Sequence, residues 1–313
     1  MTLPERDELR RAHYNARVVQ IRRVHDELMV LRAAPDPPHP VVRPGQYTVL
    51  GLGVWEPRVD GVPSSRLGEG ARPGLIRRAY SLSCPMLDDR GKLATVGDLP
   101  FLEFYLNRIY KPRDEPPMLT PRLFRLSEGD RLYVGRHATG HYTLEAIHGG
   151  ENVIFMATGT GEAPHNAMVA ELLRRRHKGR IAVITCARFR RDLAYLEVHR
   201  ALERCFPGYR YIALTTREPE NLVASDPGYI GKKYLQDWIA CPDVADQIGF
   251  ALEPVHTHAF LCGAPAMIGL PTRTSEGELH FPEPPGMIEA LVHRGFEPDM
   301  PQRPGNIHFE KYW

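Results

Sequence analysis

Hydrophobic and polar positions fall into two rhythms along this chain. In the first stretch, apolar residues come in short runs rich in Val, Ile, Leu, Tyr and Phe, separated by Gly, Pro, Asp and Asn. Such runs predict β-strands at residues 17–21, 27–31, 46–52, 79–83, 102–109 and 131–134. A short helix is expected over residues 121–126, stopped by Glu128-Gly129-Asp130. Residues 56–74, full of Gly, Pro, Ser and Arg, read as a long surface excursion, because strand signals resume on both sides. Six or so short strands with few helices suggest a small antiparallel barrel.

The rhythm changes near Gly149-Gly150. Strands at residues 152–157, 181–186, 211–215 and 258–262 alternate with helical spacing at 165–176, 193–205, 233–240 and 286–294, before a tail ending His308-Phe309-Glu310-Lys311-Tyr312-Trp313. Alternation of this kind implies a parallel, doubly wound sheet. The expected architecture is a β domain followed by an α/β domain, at residues 1–149 and 150–313. A length of 313 residues, beyond the usual size of one hydrophobic core, favours the same division.

Charge and cysteine content narrow the setting. The 40 Lys and Arg nearly balance 38 Asp and Glu, leaving a net charge of +2 and no global field suited to nucleic acid. Five scattered cysteines form no C-x-x-C pair, so neither a zinc or iron–sulfur site nor a disulfide framework is expected; His137/His141 and His256/His258 lack a third ligand in sequence, and no metal is assigned. Residues 1–23 are rich in Arg, Glu and Asp without an apolar signal core, and no later stretch is apolar enough to span a bilayer. A cytoplasmic protein with reduced thiols, and no membrane partner, is the expectation.

Three constellations carry candidate chemistry. Arg78-Ala79-Tyr80-Ser81 offers a guanidinium fork for a pyrophosphate, a ring to stack on a planar heterocycle, and a hydroxyl. The tetrapeptide alone is equally an ordinary half-buried strand. Thr158-Gly159-Thr160-Gly161-Glu162-Ala163-Pro164 lies between a strand and a helix, where glycines let the backbone approach a phosphate and the helix amides favour an anion. It lacks the third glycine of the dinucleotide fingerprint and the lysine of a P-loop, so a plain tight turn is the competing reading. Cys262-Gly263-Ala264-Pro265-Ala266-Met267 follows another strand, where ligands gather in α/β sheets; a small buried hydrophobe is the alternative for Cys262.

In their order and spacing these motifs, with the terminal Glu310-Lys311-Tyr312-Trp313, resemble the landmarks of ferredoxin–NADP reductases of the bacterial, single-subunit kind. Further matches are Leu102-Glu103-Phe104-Tyr105-Leu106, Leu119-Thr120-Pro121-Arg122-Leu123, and Ala187-Arg188 followed by Asp192-Leu193-Ala194-Tyr195. The resemblance implies an FAD-binding six-stranded barrel and a Rossmann-like NADP(H)-binding domain. It implies Arg78 on the FAD pyrophosphate, Tyr80 stacked on the isoalloxazine and Ser81 near flavin N5. Phe104, Tyr105 and Leu106 would complete a flavin wall, Thr120 would lie beside the FAD phosphate, and Thr158 would reach back to the flavin. Trp313 would cover the other flavin face.

For NADP, the resemblance points to the Gly159-Thr160-Gly161 loop and to Arg188 and Arg217 for the 2'-phosphate. Lys232 stands where a third arginine is common in the family and lacks the bidentate fork. Cys262 and Glu310 would border the nicotinamide, Glu310 as a proton relay. The residues 56–74 and 270–285 depart from the family pattern. Hydride exchange between NADP(H) and flavin would be coupled to one-electron exchange with ferredoxin or flavodoxin, acidic carriers that Arg10, Arg11, Arg17, Arg22, Arg23, Arg72, Arg77 and Arg113 would steer if gathered near the flavin edge. Two alternatives stay open: a flavin reductase module serving an oxygenase, a haem protein or a quinone, and a nucleotide-sensing protein of the same fold without turnover.

Overall fold

The strand runs of the first stretch close on themselves. In the computed structural model, which describes residues 2–59, 74–108, 117–273, 279–300 and 303–312, β1 (Ala16–His25), β2 (Leu28–Pro35), β3 (Tyr47–Gly53), β4 (Leu75–Ser83), β5 (Leu102–Asn107) and β6 (Arg131–Val134) form a closed barrel in the order β1-β2-β5-β4-β3-β6. Every pairing is antiparallel. Closure leaves no free strand edge. Alternate side chains fill the interior, among them Leu31, Leu50, Leu82, Phe104, Leu106 and Leu132.

The polar lead is a helix that sequence reasoning did not anticipate, α1 (Leu3–His13). Thr2 and Glu5 cap it reciprocally, with a proline in the first turn. Arg10 then forks the buried Glu56 carboxylate at 2.8 and 2.6 Å, and Tyr14 donates to the same carboxylate at 2.9 Å. The helix is thus tied to the barrel by a charged pair. A single turn, α2 (Thr120–Leu123), packs on the barrel.

In the second stretch β7 (Asn152–Thr158) runs into a tight turn at Gly159–Gly161 and then α3 (Glu162–Arg174); β8 (Ile181–Ala187), α4 (Leu196–Cys205), β9 (Tyr209–Thr215) and β10 (Thr257–Gly263) follow. The expected helices near 233–240 and 286–294 form as shorter pieces, Leu235–Ile239 and Met287–Val292. A two-stranded ribbon of β11 (Thr272–Arg273) and β12 (Leu279–His280) precedes the end of the chain. The expected tail is in part a fifth parallel strand, β13 (Ile307–Lys311), beside β10, so the sheet order is β13-β10-β7-β8-β9. Its Ile307 and Phe309 side chains pack with the core beneath, which needs β10 as a partner before it can form.

Barrel and sheet share a core. Leu28, Val30 and Tyr105 turn outward from the barrel and join Phe155, Val183 and Tyr195 in one hydrophobic cluster, while Met29, Leu31 and Phe104 turn inward. Across this junction runs a chain of hydrogen bonds. Asn166 donates to Ser83 at 3.3 Å, Ser83 to Tyr195 at 3.0 Å, and Tyr195 to Glu103 at 2.9 Å, whose second oxygen accepts from Arg32 at 2.7 Å.

Candidate functional site

The carboxyl ends of β7 and β10 meet where neither tolerates a side chain. Gly263 adopts φ +136°, and a Cβ there would collide with Thr158 Oγ1; a Cβ on Gly161 would collide with the Cys262 carbonyl oxygen. Thr158 Oγ1 accepts from the Ala264 N–H at 2.9 Å. The Gly159-Thr160-Gly161 turn and the Cys262-Gly263 pair, distant in sequence, are one surface. Gly159, at φ +53°, has open space where its side chain would be.

β13 brings Glu310 beside Cys262 in parallel register. From the barrel, Ser81 on β4 donates to Glu310 Oε2 at 3.0 Å. Tyr312 closes the corner: its N–H donates to the Gly263 carbonyl at 3.0 Å and its hydroxyl to the Thr160 carbonyl at 3.2 Å. Burial pushes the Cys262 thiol well above its ordinary pKa, and the neighbouring Glu310 adds to this, so the sulfur is a neutral thiol at physiological pH. Burial likewise raises the Glu310 carboxyl, against the Ser81 hydrogen bond that favours its charged form. The corner therefore holds a hydroxyl, a carboxyl of raised pKa and an uncharged thiol within reach of a phosphate-sized turn.

Other predicted residues are distributed around it. On β4, Arg78 and Ala79 are exposed, Arg78 donating to the Arg77 carbonyl at 2.9 Å, and Tyr80 is half-buried with its phenol pushed up by desolvation. Thr120 is half-buried at the start of α2. The side chains of Phe104, Tyr105 and Leu106, expected to wall a flavin, are all buried. Phe104 and Leu106 are fully buried in the barrel core, and Tyr105 turns to the sheet, donating to the Asp192 carbonyl at 2.6 Å. Their side chains serve packing because β5 is covered on both faces. Arg188 and Arg217 are brought together at the ends of β8 and β9, where the Arg217 N–H donates to the Arg188 carbonyl at 2.8 Å. Lys232 is exposed with its ammonium 4.7 Å from the Tyr234 ring centre. Trp313 lies outside the described residues.

The basic residues expected to gather as a patch are partly spent. Arg10 is paired with Glu56, Arg22 donates to the Ala194 carbonyl over the Tyr195 ring, Arg23 donates to the Phe124 and Leu126 carbonyls, and Arg77 lies over Tyr133. Arg11 and Arg17 are exposed, and Arg72 and Arg113 fall outside the described residues.

Comparison with known proteins agrees with this geometry. Residues 155–271 match the family model of the oxidoreductase NAD-binding domain. A ferredoxin–NADP reductase of Pseudomonas aeruginosa is 24% identical over 259 residues, covering 82% of this chain and 86% of its own length. Ferredoxin–NADP reductase A of Sorangium cellulosum is 26% identical over 302 residues, covering 94% and 88%. Over most of its length the chain is thus similar to ferredoxin–NADP reductases, at 24% and 26% identity to these two. The crystal structure of a ferredoxin NADP+ reductase from Neisseria gonorrhoeae, with bound FAD and NADP, superposes with a TM-score of 0.69 over 96% of this chain and 98% of that one, at 18% identity, which speaks to the fold.

Sequence reasoning assigns no role to Tyr312, Asp192 or Glu27, which the structure brings to the site. Tyr312 was passed over in favour of the neighbouring tryptophan, although alternation along β13 carries the signal, since Glu310 and Tyr312 are two apart. Asp192 is buried and takes the His25 ring at 3.0 Å and Arg188 Nε at 3.2 Å. Glu27, in the β1–β2 turn, reaches Arg188 from the barrel at 3.3 Å. No local pattern marks the His25–Asp192 and Glu27–Arg188 contacts, since each joins residues from different units, whereas Asp192 and Arg188 are only four positions apart. Among the described residues, no helix is long and apolar enough to cross a membrane.

Proposed function

We propose that this reductase holds FAD against the barrel and NADP(H) at the ends of the parallel strands, and exchanges electrons with a one-electron carrier such as ferredoxin or flavodoxin. Residues 1–149 would form the flavin-binding unit and residues 150–313 the nucleotide-binding one. The observation that carries the reading is the Ser81–Glu310 hydrogen bond, which joins the candidate flavin strand to the strand beside Cys262 at 3.0 Å. The residues present fit a flavin: Arg78 and Ala79 are exposed on a barrel strand, beside a half-buried tyrosine and a buried serine. They also fit a dinucleotide, since Gly159 leaves open space above its backbone at the start of the turn.

FAD, when bound, would supply hydride acceptance from NADPH and release of electrons one at a time. Arg78 would hold the pyrophosphate, Tyr80 the ring face, and Thr120 and Thr158 the phosphate and loop sides. Ser81 would keep a hydroxyl proton between Glu310 and the ring, and Glu310, its carboxyl raised by burial, would carry protons to and from that hydroxyl. Cys262, uncharged, would let the nicotinamide approach, with Tyr312 and Trp313 as the residues that give way. Arg188 and Arg217, with Lys232, would select the 2'-phosphate. A cytoplasmic setting goes with this, supported by cysteines that are all free.

An anaerobic absorbance spectrum followed by stopped-flow mixing with NADPH and, separately, NADH tests the reading. A yellow protein bleached much faster by NADPH is expected. A protein that stays colourless after reconstitution with FAD refutes it, and titration with ferredoxin, flavodoxin and quinones then ranks the acceptors.

A further inference from the structure

The β1–β2 turn of the barrel leans over the end of β8 and contributes charge to it. His25 contacts Asp192 at 3.0 Å, and Glu27 accepts from the Arg188 guanidinium at 3.3 Å. The two carboxylates on Arg188 differ in kind. Asp192 is buried, takes Nε at 3.2 Å, and is itself fixed by the Phe189 N–H at 3.3 Å and by His25. It orients the guanidinium. Glu27 takes Nη2, one of the terminal nitrogens with which an arginine grips phosphate, and its side chain is 46% exposed, free to swing away.

We infer that Glu27 is a specificity-determining residue, an intrinsic competitor that weakens recognition of NADPH relative to NADH by occupying Arg188 from the opposite unit. The inference rests on the reading that Arg188 receives the 2'-phosphate. A phosphate accepting from the same guanidinium must displace Glu27 or sit beside a like charge, and either costs affinity. NADH lacks that group and meets no such cost. Glu27 sets how strongly the reductase prefers the phosphorylated dinucleotide, and acts through Arg188 without touching the reacting atoms.

Steady-state kinetics with NADPH and NADH on the flavin-loaded enzyme, for the wild type, Glu27→Gln and Arg188→Ala, test this. Glu27→Gln, isosteric and exposed, is expected to lower KM for NADPH about threefold to tenfold, with KM for NADH shifted less than about twofold and the NADPH effect shrinking in high salt. Arg188→Ala is expected to raise KM for NADPH selectively. If Arg188→Ala alters the NADPH/NADH ratio but Glu27→Gln leaves it unchanged or raises KM for NADPH, the role of Glu27 is overturned while the proposed nucleotide site stands. If Arg188→Ala leaves the ratio untouched, the reading of the nucleotide site falls, and this inference with it.

Discussion

Two polar clusters lie on either side of the Gly159–Gly161 turn, and they are built from similar groups. Behind the turn, Glu162 is fully buried and one of its oxygens accepts from Thr185 at 2.9 Å and Tyr211 at 2.9 Å, with His199 Nε2 at 3.1 Å. His199 Nδ1 meets the Tyr209 hydroxyl at 2.6 Å, and its ring stacks on Tyr211 at 4.0 Å. An imidazole that donates to Glu162 through Nε2 accepts from Tyr209 through Nδ1, while the second oxygen of Glu162 is buried without a partner. In front of the turn, Ser81, Glu310, Cys262 and Tyr312 make a looser set: Glu310 and Tyr312 are half-buried, and their partners come from both units. A carboxylate enclosed by fixed donors within one unit can hold a fold together. One that borders open space and a second unit is suited to change partners.

Each prediction presses on that contrast. The largest effect is expected from Glu162→Ala, which strands three buried polar partners at once and should cost about 3–5 kcal/mol in denaturant unfolding. Loss of stability below about 1 kcal/mol would mean that the rear cluster is dispensable. Ser81→Ala should leave stability within about 1 kcal/mol yet slow bleaching by NADPH in stopped flow by about a hundredfold. Equal bleaching rates would move the front cluster into the structural class.

The smallest effect concerns pH. Burial raises the Glu310 carboxyl in the folded chain, so its contribution to stability is present below the ordinary carboxylate range and is lost as pH rises through the raised folded value. Glu310→Gln, which keeps the shape and cannot ionise, should therefore gain on the wild type in denaturation midpoints taken from about pH 4 to about pH 8. A constant difference across that range would show that Glu310 is not held against its charge.

Periodicity made most of this architecture legible. The short apolar runs of β1 to β6 and the alternation of strands and helices after residue 150 reflect burial along single elements, which a sequence displays directly. Long-range pairing is invisible there. α1 carries few apolar residues and is secured by Arg10 on a glutamate 46 positions away. β13 looks like a tail until β10 is beside it. That Phe104 and Leu106 face the barrel interior while Tyr105 faces the sheet is not legible either, because an apolar strand does not announce which face meets the interior. The motifs around Ser81, Gly159 and Cys262 are readable, since each is a local turn or strand end, whereas the grip of Glu27 on Arg188 and of His25 on Asp192 depends on two units meeting.

The core that Leu28, Val30 and Tyr105 share with Phe155 and Val183 ties the melting of one unit to the other. Neither can lose its packing without exposing apolar surface of its neighbour, so the molecule should take up heat in one cooperative calorimetric peak. The spacing between Ser81 on the barrel and Cys262 on the sheet is thereby a property of side-chain volume, insensitive to the thermal swinging that a hinged pair of domains would permit.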